Sequence, residues 1–276
     1  MVAHGLLDNT VARIHLLHSY LSEVLDPVTK RIVTSVTDGK TLGTFYGANV
    51  LEVGASNGSM ALHWAEEVGA SGHVTTITSG PESTHIPRHP RLTLRPVDLT
   101  RPGAPIPEGP FDLIHARMVL SRLPNRMEVL DELVRRLSPG GLLAVGEWRI
   151  ERHTSPVIMT DSDDDAWLYQ KYTDYRLEIL AGSGVSQAWA VGAYRAMRDA
   201  GLHAVQTVIH AEYWPVGKSG CQLLAAELDA MYSKLTMRGW TEVNLCRVAR
   251  FLARPSTVLH GMPLYYTTGR REPGPL

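Results

Sequence analysis

The chain has 276 residues, of which 44% are hydrophobic and 20% are charged, as in an average soluble globular protein. Its 27 Lys and Arg residues nearly balance its 28 Asp and Glu residues, and no basic block or acidic tail indicates a nucleic-acid or charge-steered partner. Cys221 and Cys246 lack metal-ligand spacing and are too few for a disulfide framework. We find no secretory signal pattern, and no apolar run approaches the ~20 residues of a membrane span. We therefore expect a cytoplasmic protein without membrane contact.

The N-terminal region has helical periodicity. Apolar side chains recur at helical spacing over residues 5–36, and Asp26-Pro27 predicts a break before a short second helix at 28–36. A polar linker that contains glycine follows. We expect residues 1–48 to form a helical arm or cap.

Strands and helices alternate in the next hundred residues. Short apolar runs predict strands at 49–53, 73–77, 91–95, 111–115 and 142–148, with amphipathic helices between several of them. Such alternation predicts a parallel sheet with helices on both faces. Residues 49–151 are therefore expected to form an α/β core.

The remainder of the chain is less regular. Residues 152–187 combine an acidic patch with aromatic residues, and the patterns predict a helix at 188–201, a strand at 205–213, two helices in 219–252 and a last strand at 257–268. We expect residues 188–276 to complete the core. Helical insertions at 152–187 and near 219–252 would interrupt it.

The turn at residues 52–58, between the first strand and the following helix, is the first candidate for a binding site. Ligands of open α/β sheets bind beyond the carboxyl ends of the strands, and glycines such as Gly54 and Gly58 allow close backbone approach. The spacing is G-x-S-x-G, and Ser59 stands where a dinucleotide-binding turn has its third glycine. Glu52 would repel a pyrophosphate but accept hydrogen bonds from an ammonium group. An ordinary turn with an exposed Glu is the alternative.

Five segments resemble, in order, the successive motifs of class I S-adenosylmethionine-dependent methyltransferases, and more narrowly of the bacterial small-molecule enzymes that tailor natural products. They are residues 50–59, 72–75, 96–99, 111–117 and 137–141. The match continues weakly through residues 195–202. The resemblance implies a Rossmann-like, mostly parallel sheet of seven strands with an antiparallel last strand. It also implies helical lid insertions, with 152–187 as the lid, and an N-terminal helical arm that can pack across a homodimer.

The resemblance implies S-adenosyl-L-methionine as the cofactor. Asp98 would bind the adenine amino group, Leu99 would flank the base, and the turn at His115 would lie beside the sulfonium and the substrate. Tyr20 is a weaker candidate to close over the cofactor. The residues that would cradle the methionine part are Glu52, Gly54, Ala55, Ser56, Asn57, Gly58 and Ser59.

Two positions depart from the family pattern. Thr78, followed by Ser79, stands where the family usually has the Asp or Glu that binds both ribose hydroxyls, and Arg122 stands where many relatives have His. A hydroxyl cannot make the paired, charge-assisted contact, which costs about 1–2 kcal/mol of cofactor affinity. Two alternatives to methyl transfer therefore stay open: a cyclisation or rearrangement that uses bound cofactor, and a degenerate cofactor-binding interaction domain.

The catalytic candidates are His115 and Glu147. Methyl transfer is an in-line displacement that needs a base only when the acceptor atom holds a proton of high pKa. His115 is the first candidate as base or orienter, and a structural His is its alternative. Glu147 is the second, with a surface carboxylate or a partner for Arg149 as the alternative. Arg117 would bind an anionic substrate or form an ion pair with the cofactor-side loop.

Aromatic residues predict the substrate side of the site. Tyr169, Tyr172 and Tyr175 share a helical face, and Trp167 lies nearby, where the family inserts its lid; core packing is the alternative. With Trp148 at the end of the fifth strand, they would suit a small aromatic or apolar substrate of the natural-product type, methylated on O, N or C. The acidic run at 161–165 predicts a solvated helix start rather than a metal site, and we expect no metal.

Overall fold

A computed structural model describes residues 10–36, 45–78, 86–149 and 156–274. The chain divides into two compact units. The smaller unit comprises Met1–Leu25, Ile150–Ser183 and Ala211–Met262, and the larger unit comprises Asp26–Arg149, Gly184–His210 and Pro263–Leu276.

Helices and strands alternate over much of the described chain, and two sheets form. In chain order the elements are α1 (Thr10–Ser35), β1 (Asn49–Val53), α2 (Ser59–Glu67), β2 (His73–Thr78), β3 (Leu92–Pro96), β4 (Phe111–Arg117), a short 3-10 turn (Leu120–Arg122), α3 (Arg126–Arg135), β5 (Leu137–Trp148), β6 (Val157–Met159), α4 (Asp163–Gly182), α5 (Trp189–Asp199), β7 (His203–His210), β8 (Tyr213–Pro215), α6 (Ser219–Ala230), α7 (Tyr232–Thr236), α8 (Glu242–Leu252), β9 (Val258–His260) and β10 (Leu264–Arg270).

The larger unit contains a seven-stranded sheet in the order β3-β2-β1-β4-β5-β10-β7. The five strands β1 to β5 pair in parallel, and β10 pairs antiparallel with both β5 and β7. The predicted Rossmann-like sheet of seven strands with an antiparallel last strand is therefore confirmed. Strand order reverses between β1 and β4, which is where sheets of this type bind ligands at the carboxyl edge.

Helix α1 runs without interruption from Thr10 to Ser35, with Pro27 inside it, so the predicted break at Asp26-Pro27 is wrong. A proline inside a helix removes one backbone hydrogen bond and costs about 3 kcal/mol. Contacts on both sides of the proline offset that cost. Ile32 and Val33 are buried, and the side chains of Asp26 and Thr29 both bind the guanidinium of Arg117. The division between the two units falls inside this helix and inside the predicted arm, 1–48.

The smaller unit contains an antiparallel three-stranded sheet, β6-β9-β8, which the sequence did not predict. The predicted strand at 205–213 is two strands, β7 and β8, and the predicted last strand at 257–268 is β9 and β10. Pro263, which has no N–H for a continuous ladder, lies between β9 and β10. Three helices rather than two cover 219–252. Among the described residues, no helix has both the length and the apolar character needed to cross a bilayer.

Candidate functional site

The glycine turn follows β1 directly and leads into α2. Gly54 has φ +78° and Gly58 has φ +85°, values that favour glycine over other residues. Close packing imposes the same requirement. A Cβ on Gly54 would lie 2.3 Å from Cγ2 of Val119, and a Cβ on Gly58 would lie 2.6 Å from Cγ2 of Ile86. Only glycine therefore fits these two positions without displacing a neighbour.

Ser56, in the middle of the turn, has a polar group that lacks a partner. Its φ is +52°, and its buried Oγ makes no hydrogen bond to any residue that the structure describes. The neighbouring Asn57 Oδ1 accepts from the N–H of Ser59, the first residue of α2, at 3.2 Å. A buried hydroxyl without a partner costs about 1–3 kcal/mol unless a ligand or water satisfies it. The turn therefore fits a ligand with a polar end, such as the methionine part of S-adenosylmethionine.

Asp98 follows β3 and presents an ionised carboxylate. Its Oδ1 accepts from the N–H and the hydroxyl of Thr100 at 3.0 and 2.6 Å, and its Oδ2 accepts from Nε of Arg101 at 3.1 Å. The hydrogen bonds from Thr100, and then that from Arg101, lower the pKa of Asp98. The side chain keeps 46% exposure, so it remains open to a donor such as an amino group. Leu99 beside it is buried in the core.

Thr78 ends β2, between the strands that carry the glycine turn and Asp98. Its side chain is buried, and its carbonyl oxygen accepts from the N–H of Val97 at 2.9 Å. Ser79, also predicted to bind the cofactor, lies outside the described residues. The predicted site residues of three neighbouring strands thus stand in the order Asp98, Thr78, Glu52 along one edge of the sheet.

Glu52 is buried, with 3% exposure, so the alternative of an exposed Glu is wrong. Its Oε2 accepts from Nε1 of Trp64 at 2.9 Å and lies 2.6 Å from Nδ1 of His115. Both hydrogen bonds use the same oxygen. None of the residues that the structure describes donates to Oε1 of Glu52, which leaves that atom as an acceptor for a ligand.

His115 is fully buried on β4, in register with Glu52 on β1. Its Nδ1 faces Glu52, and its Nε2 lies 2.5 Å from the hydroxyl of Tyr266. Both ring nitrogens therefore have protein partners. This geometry suits the predicted role of an orienting or structural His, and a role as base would require His115 to break one of these bonds.

Arg117 forms an ion pair, one of the two roles predicted for it. Its Nη2 lies 2.7 Å from Oδ1 of Asp26, and its Nη1 donates to Oγ1 of Thr29 at 3.0 Å. The Arg117 and Asp26 side chains are 8% and 13% exposed. The partner lies on α1 rather than on a cofactor-side loop. Since the guanidinium already has a carboxylate partner, substrate binding by Arg117 gains no support from this arrangement.

Glu147 is buried near the end of β5, so the predicted alternative of a surface carboxylate is wrong. Its Oε1 accepts from the N–H of Ser121 at 3.1 Å, and its Oε2 accepts from the hydroxyl of Ser121 at 2.8 Å. Burial raises the pKa of Glu147 to about 7, although these hydrogen bonds lower it. A carboxyl with such a pKa can exchange a proton near neutral pH.

The predicted aromatic face packs inside the smaller unit. Tyr169 and Tyr172 are buried, with ring centroids 5.9 Å apart. The ring of Tyr169 lies 5.3 Å from that of Phe251, and the rings of Tyr172 and Tyr175 lie 6.2 and 5.6 Å from that of Trp240. These contacts fit the alternative of core packing, and contact with a substrate stays a prediction.

Three other predicted aromatic residues have more open surroundings. Trp167 is 63% exposed, and Nζ of Lys171 lies 5.0 Å from its ring centroid. Trp148 is half-buried at the end of β5, and Tyr20 is half-buried on α1, in the smaller unit. Their contacts with substrate and cofactor stay predictions.

The acidic run begins a helix, as predicted. Helix α4 begins at Asp163, and the Ser162 hydroxyl accepts from the N–H of Asp165. The carboxylate of Asp165 binds the guanidinium groups of Arg247 and Arg254 at 2.7 Å each. Over the described ranges, no three His, Cys, Asp or Glu side chains group in a way that could hold a metal ion.

Five residues that form hydrogen bonds with predicted site residues were not identified from the sequence: Asp26, Thr29, Trp64, Ser121 and Tyr266. The signal for Trp64 was only partial: a buried indole N–H needs an acceptor, but Glu66 and Glu67 are nearer to it in the chain than Glu52, which accepts its hydrogen bond. The other contacts join residues that no local motif connects.

A protein-family model described as a methyltransferase domain matches residues 18–207. The demethylmenaquinone methyltransferase of Listeria welshimeri is 34% identical over 103 residues, which are 36% of this chain and 44% of that protein. A sterol 24-C-methyltransferase of Neurospora crassa is 29% identical over 163 residues, or 56% of this chain and 36% of that protein. The chain thus spans less than half the length of either relative.

Solved structures share the fold. The [4+2]-cyclase SpnF superposes with a TM-score of 0.50 at 18% identity, over 88% of this chain and 81% of that one. A candidate methyltransferase of Bacillus halodurans gives a TM-score of 0.50 at 13% identity, over 82% of this chain and 93% of that one. At these identities the likeness is one of fold.

The match to the family model covers more than half of the chain and includes the glycine turn, Thr78, Asp98 and His115. S-adenosyl-L-methionine, the cofactor that the motifs imply, is the cofactor of this family. The chain belongs to the methyltransferase domain family.

Proposed function

We propose that the protein transfers a methyl group from S-adenosylmethionine to O, N or C of a small aromatic or apolar molecule of the natural-product type. The order of polar groups along the sheet edge carries the proposal. The turn after β1, the hydroxyl of Thr78 at the end of β2 and the carboxylate of Asp98 after β3 follow one another on adjacent strands. This order matches the amino-acid, ribose and adenine parts of the cofactor.

In this proposal each polar group has one task. The Oε1 oxygen of Glu52 accepts from the ammonium of the cofactor, and Ser56 Oγ binds its amino-acid end. Asp98 accepts from the adenine amino group. When bound, the sulfonium supplies an activated methyl carbon, and the protein aligns the acceptor with it and excludes water.

Of the two predicted bases, we assign the role to Glu147. Its pKa of about 7 suits proton exchange near neutral pH. Both oxygens of Glu147 accept hydrogen bonds from Ser121, just as both ring nitrogens of His115 are hydrogen-bonded, so either residue must give up a bond before it can act as a base. An acceptor that carries a proton of high pKa would need such a base; an amine or an electron-rich carbon would not.

A non-methylating rearrangement that uses bound cofactor is the second candidate. Thr78, a buried hydroxyl at the position where the family has a ribose-binding acid, favours it because the cofactor grip is altered there. The likeness to a [4+2]-cyclase adds no argument, because it extends to the fold alone. A degenerate binding domain is less favoured, since Glu52, Gly54, Gly58 and Asp98 are all retained.

The first experiment is calorimetric titration with S-adenosylmethionine. We expect binding by the natural chain, weaker binding by Asp98→Ala, and unchanged binding by the control Asp199→Ala, which removes an exposed acid of α5. No binding at millimolar cofactor would contradict both enzyme proposals. Equal affinity of Asp98→Ala and the natural chain would contradict the adenine assignment.

The second experiment separates methylation from rearrangement. The protein is incubated with S-adenosylmethionine that carries a deuterated methyl group and with a panel of aromatic and apolar compounds. Mass spectrometry should find the labelled methyl group in a product and S-adenosylhomocysteine in equal amount. Conversion of a compound while the cofactor stays intact would replace methyl transfer by the second candidate.

A further inference from the structure

A chain of hydrogen bonds crosses the interior of the larger unit. Nη1 of Arg117 donates to Oγ1 of Thr29 at 3.0 Å, and the hydroxyl of Thr29 bonds that of Tyr266. The Tyr266 hydroxyl lies 2.5 Å from Nε2 of His115, whose Nδ1 lies 2.6 Å from Oε2 of Glu52. We call these five residues the buried chain.

The two ends of the buried chain determine the direction of its hydrogen bonds. A guanidinium can only donate, and an ionised carboxylate can only accept. Thr29 therefore receives from Arg117 and donates to Tyr266, and this bond lowers the pKa of Tyr266 while burial raises it more strongly. The phenol stays protonated and donates a hydrogen bond to Nε2 of His115. The imidazole proton is therefore on Nδ1, which donates to Glu52.

The far end of the buried chain belongs to the glycine turn. Glu52 lies two residues before Gly54, and its Oε2 receives from both His115 and Trp64. With both donors on one oxygen, the rotation of the carboxylate is held, and Oε1 is the oxygen to which no described residue donates.

We propose that Tyr266 is a positioning residue for cofactor binding: through His115 it holds the Glu52 carboxylate with Oε1 directed to the ammonium of the cofactor. This inference rests on the proposed function, because it assigns Glu52 to that ammonium. Tyr266 lies on β10, and the ring of His115 stands between its hydroxyl and the Glu52 carboxylate, so Tyr266 acts through His115.

The choice of ligands separates positioning from simple structural support. S-adenosylhomocysteine carries the amino-acid tail, whereas 5′-methylthioadenosine keeps the adenosine and lacks the ammonium. Tyr266→Phe should weaken S-adenosylhomocysteine roughly tenfold in calorimetry, because a charge-assisted bond loses its support. Binding of 5′-methylthioadenosine should change less than about twofold. Equal losses for both ligands, or no loss for either, would overturn the proposal.

Tyr265→Phe is the matched control. Tyr265 is the preceding residue of β10, and its side chain points to the other sheet face, where its hydroxyl receives from Arg149 at 3.0 Å. This substitution removes the same atom from the same strand and should leave the affinity for both ligands unchanged. In a Glu52→Gln background, Tyr266→Phe should have no further effect on S-adenosylhomocysteine; additive losses would contradict action through Glu52.

A spectroscopic measurement on the natural chain tests the direction of the hydrogen bonds directly. The ¹⁵N spectrum of the histidine rings, with His115 assigned by comparison with His115→Asn, should show the proton on Nδ1 and an accepting Nε2. A proton on Nε2 would overturn the inference whatever the binding data show. If the natural chain does not bind S-adenosylhomocysteine, the proposed function fails and the inference with it; if it binds and Tyr266→Phe binds equally well, the inference alone fails.

Discussion

The carboxylate of Glu147 and the hydroxyl of Ser121 meet inside the larger unit, 2.8 Å apart, and the N–H of Ser121 donates to the other carboxylate oxygen. Ser121 lies in the 3-10 turn after β4. Val119, the residue just before this turn, packs against Gly54. Glu147 on β5 therefore holds the segment that contacts the cofactor turn. Burial raises the pKa of this carboxyl to about 7.

We expect Glu147 to make the folded state less stable as pH rises through this range. The pKa of Glu147 is about 7 in the folded chain against an ordinary value of 4.5, so the folded state retains a proton that the unfolded state has lost. Its stabilising contribution is complete below about pH 4.5, falls between pH 4.5 and 7, and does not change further above pH 7. The size of the fall is on the order of 3 kcal/mol.

Glu147→Gln tests this expectation. The amide oxygen can accept from the Ser121 N–H, and the amide NH₂ can donate to its hydroxyl, so the variant imitates the protonated carboxyl. Urea denaturation at pH 5 and pH 8 should show Glu147→Gln gaining stability relative to the natural chain at the higher pH. Glu66→Gln, an exposed site on α2, serves as control. Parallel pH dependence in Glu147→Gln and the natural chain would contradict the assigned pKa.

The ion pair between Arg117 and Asp26 should be a major stabilising contact. Both side chains are largely buried, and loss of one partner leaves an uncompensated buried charge. Asp26→Asn should lower the free energy of unfolding by about 3 kcal/mol, measured by urea denaturation. The exposed pair Arg195–Asp199 is the control, and Asp199→Ala should cost less than about 0.5 kcal/mol.

A second substitution checks the cause of this loss. In Asp26→Asn/Arg117→Met the buried charge is absent, so the double variant should be more stable than Asp26→Asn alone. Additive losses would show that the ion pair is not the origin of the effect.

Tyr172 and Tyr266 should respond in opposite ways to the same substitution. Both side chains are fully buried. The hydroxyl of Tyr172 has no hydrogen-bond partner among the described residues, whereas that of Tyr266 bonds His115. Tyr172→Phe should raise the free energy of unfolding by about 1 kcal/mol, and Tyr266→Phe should lower it by about 1–3 kcal/mol. Thermal and urea denaturation measure both; destabilisation by Tyr172→Phe would reveal a ligand or water bound to its hydroxyl.

The parts of the fold that could be predicted are those that local patterns determine. The apolar runs of β1, β2 and β4 lie between turns and are buried on both sheet faces, so hydrophobic pattern and strand coincide. The continuity of α1 through Pro27 could not be predicted, because contacts of Asp26 and Thr29 with a distant strand offset a strong local signal.

The same distinction applies to the site. The glycine turn and Asp98 belong to local motifs, and their places at the sheet edge follow from strand order. His115 and Tyr266 are 151 positions apart, and Arg117 and Asp26 are 91 apart. Periodicity and spacing contain no information about such pairs, so the sequence identified His115 and Arg117 as polar groups at the strand end without the partners that determine what they do.

Gly54→Ala separates the two reasons why glycine is needed in the turn. Gly54 and Gly140 have nearly equal φ values, +78° and +76°, so alanine at either position meets a similar backbone cost of about 1 kcal/mol. Their surroundings differ: a Cβ on Gly140 has nothing within 4 Å, whereas a Cβ on Gly54 would lie 2.3 Å from Val119. Gly54→Ala should therefore cost about 1–3 kcal/mol more than Gly140→Ala in urea denaturation.

Val119→Ala removes the atom that a Cβ on Gly54 would meet. Gly54→Ala in that background should cost about the same as Gly140→Ala, because only the backbone cost remains. Any loss of affinity for S-adenosylmethionine that Gly54→Ala causes by displacing the glycine turn should also be reversed in the Val119→Ala background, as the turn returns to its position. If the cost of Gly54→Ala is the same with and without the Val119 side chain, the close packing of the β4 turn on the glycine turn is not what requires glycine, and the backbone conformation alone accounts for it.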